Sequence, residues 1–259
     1  MDYSEQQLAP TLRSVVHCIW AFAGPRDSHR VLPDGCIDIL VRDERAQVVG
    51  TMRRAVTVAG VPGAVLGVRL RPGEAARLLP AAPRELTDSG VALADLWGDD
   101  GRILEAALVA VLAAATHERL RAHEILGRAD AIVEDAIRRR LAAHGETVDL
   151  RMRAAVGLLA SGTCVREVAE RVELSERQLG RRFGDRVGLA PKTFARVRRL
   201  QRAANALSAG IAPCEAATLV GYADQAHFTR DASEIAGITP SALRREVNDA
   251  RNTTITVGL

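Results

Sequence analysis

No stretch of the 259 residues stays apolar for the ~18 positions that a bilayer-crossing helix needs. Even ILEAALVAVLAAA (103–115) is interrupted by Glu105. The first residues, MDYSEQQLAPTLRSVV, lack a basic stretch leading into a long apolar one, so the expectation is a cytoplasmic protein with no membrane partner. CxxC pairs are absent too. The four cysteines, Cys18, Cys36, Cys164 and Cys214, stand far apart. That points away from a zinc site or a disulfide framework and toward four small buried thiols. Nor is there a GxSxG, an HExxH or a glycine-rich phosphate loop, and a thiol without a base or metal beside it is a poor nucleophile. These absences argue against an enzyme, a DNA-repair methyl acceptor among them, and no cofactor or metal is expected.

What is present fits a folded chain. Hydrophobic residues make up 47% and charged residues 26%, enough for a sizeable core, and the length suits two domains. Net charge is only +3, but it is unevenly spread. Residues 164–202 hold ten Arg and Lys192 against five acids, whereas 1–147 hold 18 Arg against 20 acids. A basic island in a near-neutral chain is what phosphate contact requires, because each neutralised phosphate releases a counterion.

The first hundred residues read as strands. In CIDILVR (36–42), Ile37, Ile39 and Val41 alternate with Asp38, Leu40 and Arg42, the period of a half-buried strand. SVVHCIW (14–20), QVVGT (47–51), AVTVAG (55–60) and AVLGVRL (64–70) are similar, with turns at Pro33-Asp34-Gly35, Gly50, Gly60 and Pro62-Gly63. The pattern predicts a small antiparallel sandwich or barrel. After Pro72 come a short helix over PGEAARLLP and alanine-leucine helices over about 101–115, 117–127 and 130–143. The expected organisation is α+β: a β-rich domain over 1–100, a helical connector or dimerisation surface over 101–146, an all-α domain over 147–250 and a tail over 251–259. His144-Gly145 is the expected boundary, with Thr147 or Asp149 capping the next helix.

The last hundred residues repeat. Gly188 and Gly237, Pro191 and Pro240, Arg181 and Arg230, and Leu179 and Phe228 all pair at an offset of 49. In VREVAERVELSERQLGRRF (165–183), Val165, Val168, Ala169 and Val172 make one apolar face; Glu173-Leu174 turns, Ser175 caps, and a second helix buries Leu179 and Phe183. This is a helix-turn-helix, whose second helix enters the major groove. In the second copy Ala217 makes the close contact, Gly221-Tyr222 turns, Asp224 caps, and QAHFTR (225–230) starts the reading helix. Pro191 opens a helix over 191–210 with Phe194, Val197, Leu200, Ala204 and Leu207 on one stripe, joining the two units at a fixed separation.

Over 148–246 the chain resembles the AraC/XylS family of bacterial regulators, most fully in AATLVGYADQAHFTRDASEIAGITPSALRR (216–245). It departs from the pattern at Ala232, usually a buried Phe, and at Ala216, usually Ile, which implies a looser second core. The resemblance implies a sequence-specific regulator of transcription acting on promoter DNA, with RNA polymerase and a second copy of the chain as further partners. The segments HRVLPDGCIDILV, GVRLRPG and LADLWG are similar to a poorly described sensor-type domain often joined to such regulators.

By position and by this resemblance, Arg177, Gln178 and Arg181 in the first unit and Gln225, Ala226 and Arg230 in the second are expected at base edges, since Arg and Gln match guanine and adenine. Ser175, Arg182, Arg186, Lys192, Thr193, Arg196, Arg198 and Arg199 are expected at phosphates. Residues 203–250 hold three Arg against six acids, so the first unit should anchor and the second refine. His227 reads as a packing residue, and Trp20 and Trp97 as core. In the β-rich half, Asp38, Arg69 and Arg71 are candidates to converge on a small effector. Two modes of control stay open: an effector in the N-terminal domain, or protein contact and abundance without a ligand.

Overall fold

The computed structural model describes residues 2–25, 27–60, 62–144 and 147–249. Gly145 of the expected boundary and the tail over 251–259 lie outside the described residues.

Strands β1 (Asp2–Gln6), β2 (Val16–Ala23), β4 (Ile37–Arg42), β5 (Arg45–Val49), β7 (Val65–Leu70) and β8 (Gly90–Ala92) form one antiparallel sheet in the order β1-β2-β7-β4-β5-β8. A separate two-stranded ribbon pairs β3 (His29–Val31) with β6 (Val56–Val58). The sheet is open. Strand alternation gives it two faces of different use. Ile39, Val41, Val48, Leu66, Val68 and Leu70 point to one side, where α1 (Leu93–Trp97), α2 (Asp99–Glu118) and α3 (Ala122–His144) cover them with Leu104, Leu108, Ile125, Val133 and Ile137. Sheet and helices thus share one core; the segment expected as a connector is half of that core.

The alanine-leucine region differs from its sequence reading in one respect. Helices expected over 117–127 and 130–143 are a single helix, α3. No proline interrupts it, and Gly127 sits on an exposed face with open space around it, where it does not break the ladder. The break falls earlier, at Arg119, whose left-handed backbone closes α2. The helix expected over 72–80 shortens to a 3₁₀ turn at Ala75–Arg77.

The C-terminal half is all helical: α4 (Leu150–Ser161), α5 (Val165–Arg171), α6 (Glu176–Val187), α7 (Pro191–Ser208), α8 (Pro213–Leu219), α9 (Gln225–Asp231), a π turn at Ala232–Ala236, and α10 (Pro240–Asp249). Helix α7 belongs to two cores. Phe194, near its start, packs edge-on to Phe183 among Met152, Leu159, Val168 and Leu179. Val197, Leu200, Ala204 and Leu207 pack instead with Ala217, Phe228, Ile235 and Leu243. Ala216 and Ala232 are fully buried in this second core.

The halves are fastened together. Leu32, from the β-rich half, is buried in the core of the second helical unit. Gln201 donates to the Pro33 carbonyl at 2.7 Å and Arg198 to that of Asp34 at 3.3 Å. Ala55 N–H donates to Ile235, Thr87 to Gly188, and Arg153 binds Glu74.

Candidate nucleic-acid interface

Each helix-turn-helix is set by local chemistry. In the first, α5 and α6 are joined through Glu173, whose φ of +54° is left-handed, and Ser175 opens α6 with a full capping box: its Oγ accepts from Gln178 N–H while the Gln178 side chain accepts from Ser175. In the second, Gly221 takes the left-handed turn at φ +84° and Asp224 accepts from His227 N–H to open α9. Asp149 does the same for α4. These are the turn and cap positions read from the sequence, and Thr147 is not the α4 cap.

All six residues expected at base edges, Arg177, Gln178, Arg181, Gln225, Ala226 and Arg230, lie exposed in the first turns of α6 and α9. Arg177, Arg181 and Arg230 make no ion pair among the described residues. Gln178 is different: its carbonyl oxygen is committed to the cap, leaving only its amide donors for a base.

The residues expected at phosphates divide. Lys192 is exposed and Thr193 half-buried near the start of α7, while Arg186 is half-buried on α6. Ser175 is spent on the cap. Arg182 pairs with Asp149 at 3.0 Å. Arg198 is turned inward, 4% exposed, and bound to the carbonyl of Asp34. It fastens the two halves in this structure and presents nothing to a phosphate. Arg196 and Arg199 meet the buried carboxylate of Asp231 at 2.8 Å each. Arg196 also binds Glu234, and Arg199 lies over Tyr222 at 4.4 Å and beside His227 at 3.1 Å. Burial works against the Arg196 charge, but Glu234 and Asp231 more than offset it and hold its pKa above the ordinary value. His227 is the packing residue expected, edge-on to Tyr222.

The charge pattern hid Asp231. By charge alone it is one of the six acids of 203–250, whereas in the fold it is an anchor between α7 and α9. Its place one residue after Arg230, on the α9 side facing α7, is the signal that helical spacing carried.

A broad open groove runs between the units, lined by Lys192, Arg196, Arg199, Arg202 and Arg230 together with Asp231 and Glu234.

In the β-rich half, Asp38 and Arg69 do converge. Arg69 Nη2 lies 3.3 Å from Asp38, its Nε lies 3.5 Å from Asp34, and Trp20 donates to Asp38 at 3.0 Å. Burial pushes the Asp38 carboxyl up from its ordinary range despite Arg69. Arg71 is elsewhere, bound to the carbonyl of Arg13, because it lies past the end of β7. Trp20 is buried as expected, in a small cluster with Cys18, Phe22 and Val65; it lies across Gly67, where any side chain would overlap its ring, and also lines a cavity under the ribbon. Trp97 is in the core. Cys18 and Cys36 are buried as expected, the Cys18 thiol pushed up to about 12 by desolvation. Cys164 and Cys214 are exposed at the starts of α5 and α8, which corrects the expectation of four buried thiols. Among the described residues no cluster could hold a metal, and no helix is long and apolar enough to cross a membrane.

Two segments of the chain match known protein families. Residues 168–246 match a family described as a helix-turn-helix domain, and residues 5–92 match a domain of unknown function. None of the curated proteins matches the chain. Among solved structures, it is similar to the C-terminal domain of AraT, a response regulator from Geobacillus stearothermophilus, at 24% identity over 39% of this chain and 88% of that one, with a TM-score of 0.36. It is also similar to a variant of apo ToxT from Vibrio cholerae, at 11% identity over 88% of this chain and 97% of that one, TM-score 0.48. A second ToxT structure gives 9% identity over 88% and 98%, TM-score 0.46. The chain therefore carries a helix-turn-helix domain over 168–246, behind a domain over 5–92 of a family whose function is unknown.

Proposed function

We propose that this protein is a sequence-specific regulator of transcription that grips duplex DNA with both helix-turn-helix units, and that a small molecule in its β-rich half modulates the grip. The observation that carries the DNA reading is the exposure of three arginines that make no ion pair among the described residues, Arg177, Arg181 and Arg230, in the first turns of two reading helices held by one continuous helix. Paired units of this kind meet successive major grooves about one helical turn apart, and joining them multiplies their specificity. Electrostatics divide the labour. The first unit brings most of the basic charge, while the second has two of its neighbouring arginines neutralised by Asp231 and so contributes base contacts more than phosphate attraction.

The test is selection of bound duplexes from a random pool, followed by the affinity of the selected site across a salt series. Two short blocks about one helical turn apart, with affinity falling steeply with salt, support the reading. Absence of any enriched sequence refutes it.

A further inference from the structure

Two glutamines stand in the first turns of the reading helices, Gln178 on α6 and Gln225 on α9, and their amides are in different states. Ser175 N–H and Ser175 Oγ–H both donate to Gln178 Oε1, each at 2.9 Å. A backbone N–H only donates, so the amide atom facing it is the oxygen, and Nε2 is the atom turned away. A carbonyl oxygen has two lone pairs, and both are taken. Gln178 is exposed, and its Nε2 makes no hydrogen bond among the described residues. The second unit is built otherwise. Asp224 accepts from His227 N–H without a reciprocal bond, because the residue one repeat after Gln178 is His227, whose ring packs edge-on to Tyr222. Gln225 is exposed, and its side chain makes no hydrogen bond among the described residues.

Base edges distinguish these two states. A free glutamine pairs with adenine twice, donating to N7 and accepting from N6. To accept from N6, Gln178 would have to release a Ser175 donor. That exchange gains one bond, loses another and weakens the cap of α6. With the carbonyl held, adenine N6 and cytosine N4 present donors to a donor, whereas guanine, through N7 and O6, and thymine, through O4, present acceptors. A side chain bent back into a cap has a short reach, and α6 is shaped to bring it close. Gly180 and Gly184 share a face with Arg177 and Arg181, and a Cβ at either glycine would meet nothing within 4 Å. Packing inside the protein therefore does not call for glycine there, and each lowers helix stability relative to alanine. Their missing side chains let the backbone of α6 approach the base edges.

We propose that Gln178 selects a keto base, guanine or thymine, at one position of the DNA block read by α6, because the Ser175 cap holds its carbonyl, while Gln225 keeps the adenine preference of a free glutamine. The assignment deepens the regulator reading and rests on it.

The experiment is duplex selection from a random pool by the full chain and by three single variants, with the melting temperature of each recorded. The wild-type site is expected to hold one position where guanine and thymine are favoured over adenine and cytosine by about tenfold. Gln178→Ala removes the bias at that position alone, which identifies it. Gln178→Glu keeps the acceptor that the cap needs, and with it the melting temperature, but presents an oxygen where the amide donated. The position is then expected to turn to cytosine or adenine, and this switch decides the matter should Gln178→Ala fail to fold. Ser175→Ala frees one lone pair of the carbonyl, and adenine is expected to become acceptable there. Adenine favoured by the wild type at the position that Gln178→Ala identifies overturns the held carbonyl. A selected site unchanged by Gln178→Ala and Gln178→Glu overturns the base contact and leaves Gln178 a cap only. In both cases the regulator reading stands, because a site was selected. A pool with no enriched sequence overturns the assignment and the regulator reading together.

Discussion

Replacing Asp231 by Asn tests the link between folding and DNA binding most sharply, because the two are expected to move in opposite directions. The carboxylate is 3% exposed and serves two guanidinium groups, each at 2.8 Å, from Arg196 and Arg199 on α7. Breaking a buried pair by removing one partner typically costs ~3–5 kcal/mol, since the remaining charge is stranded. Here the arginines are 33% and 21% exposed, and Arg196 retains Glu234. Water recovers part of the loss, so about 2–3 kcal/mol is the expected cost. With a denaturant slope of ~2 kcal/mol/M, the urea midpoint falls by roughly 1 M. The same change releases two cations toward the groove between the units. Each additional phosphate contact steepens the dependence of log affinity on log salt by about 0.9, so the variant's slope should steepen by up to about 1.8. Its affinity for unselected duplex at low salt should rise. An unchanged urea midpoint would refute the energetic account of the pair. An unchanged salt slope would refute the placement of α7's basic face along the phosphate backbone.

Four further outcomes are expected. Arg181→Ala and Arg230→Ala should each cost ~1–3 kcal/mol at one base position of the selected site while leaving the melting temperature unchanged, read by competition with single-base variants. Arg198→Ala should behave as a structural substitution, lowering stability through the lost tie to Asp34 without reducing the salt slope, in contrast with a phosphate-binding arginine. Gly35→Ala should destabilise by about 1–3 kcal/mol, because its φ of +82° is left-handed and a Cβ there would stand 2.5 Å from the Phe194 ring. Burial, followed by the charges of Arg71 and Arg69, holds His17 below the ordinary histidine range. Just under pH 6.5 the unfolded chain therefore binds more protons than the folded one, and stability is lost as pH falls below about 6.5. His17→Gln should flatten that part of the profile in denaturant titrations at successive pH values.

How much of this was legible in the sequence depends on how local the cause is. The turns, caps and reading helices of the C-terminal half follow from residues within three or four positions of one another, as the Ser175 and Gln178 capping box does, and the repeat made them readable. The strand of Ile37, Ile39 and Val41 was legible for the same reason. The arginines of α7 were not. Helical spacing gives their direction around the helix but not what stands opposite, and that is decided by Asp231 and by Asp34, 32 and 164 positions away. The burial of Trp20 was legible from its apolar strand. Only the pairing of β2 with β7 reveals that it shares a face with Asp38 and Arg69. The short strands β1, β3 and β8 lack the long β-branched runs that mark the others, and exist because a neighbouring edge supplies their partners.

The burial of Leu32 in the second helical core bears on how this protein comes apart. A segment from one half that completes the core of the other removes the usual independence of domains. A fragment beginning near residue 147 would lack Leu32 from the core that holds Leu200, Phe228 and Ile235, and the Pro33 and Asp34 acceptors would be missing from α7. Denaturation of the whole chain should accordingly proceed as one concerted transition, since the first unit too is tied to the β-rich half, through Gly35 against the Phe194 ring, Thr87 on Gly188 and Glu74 on Arg153.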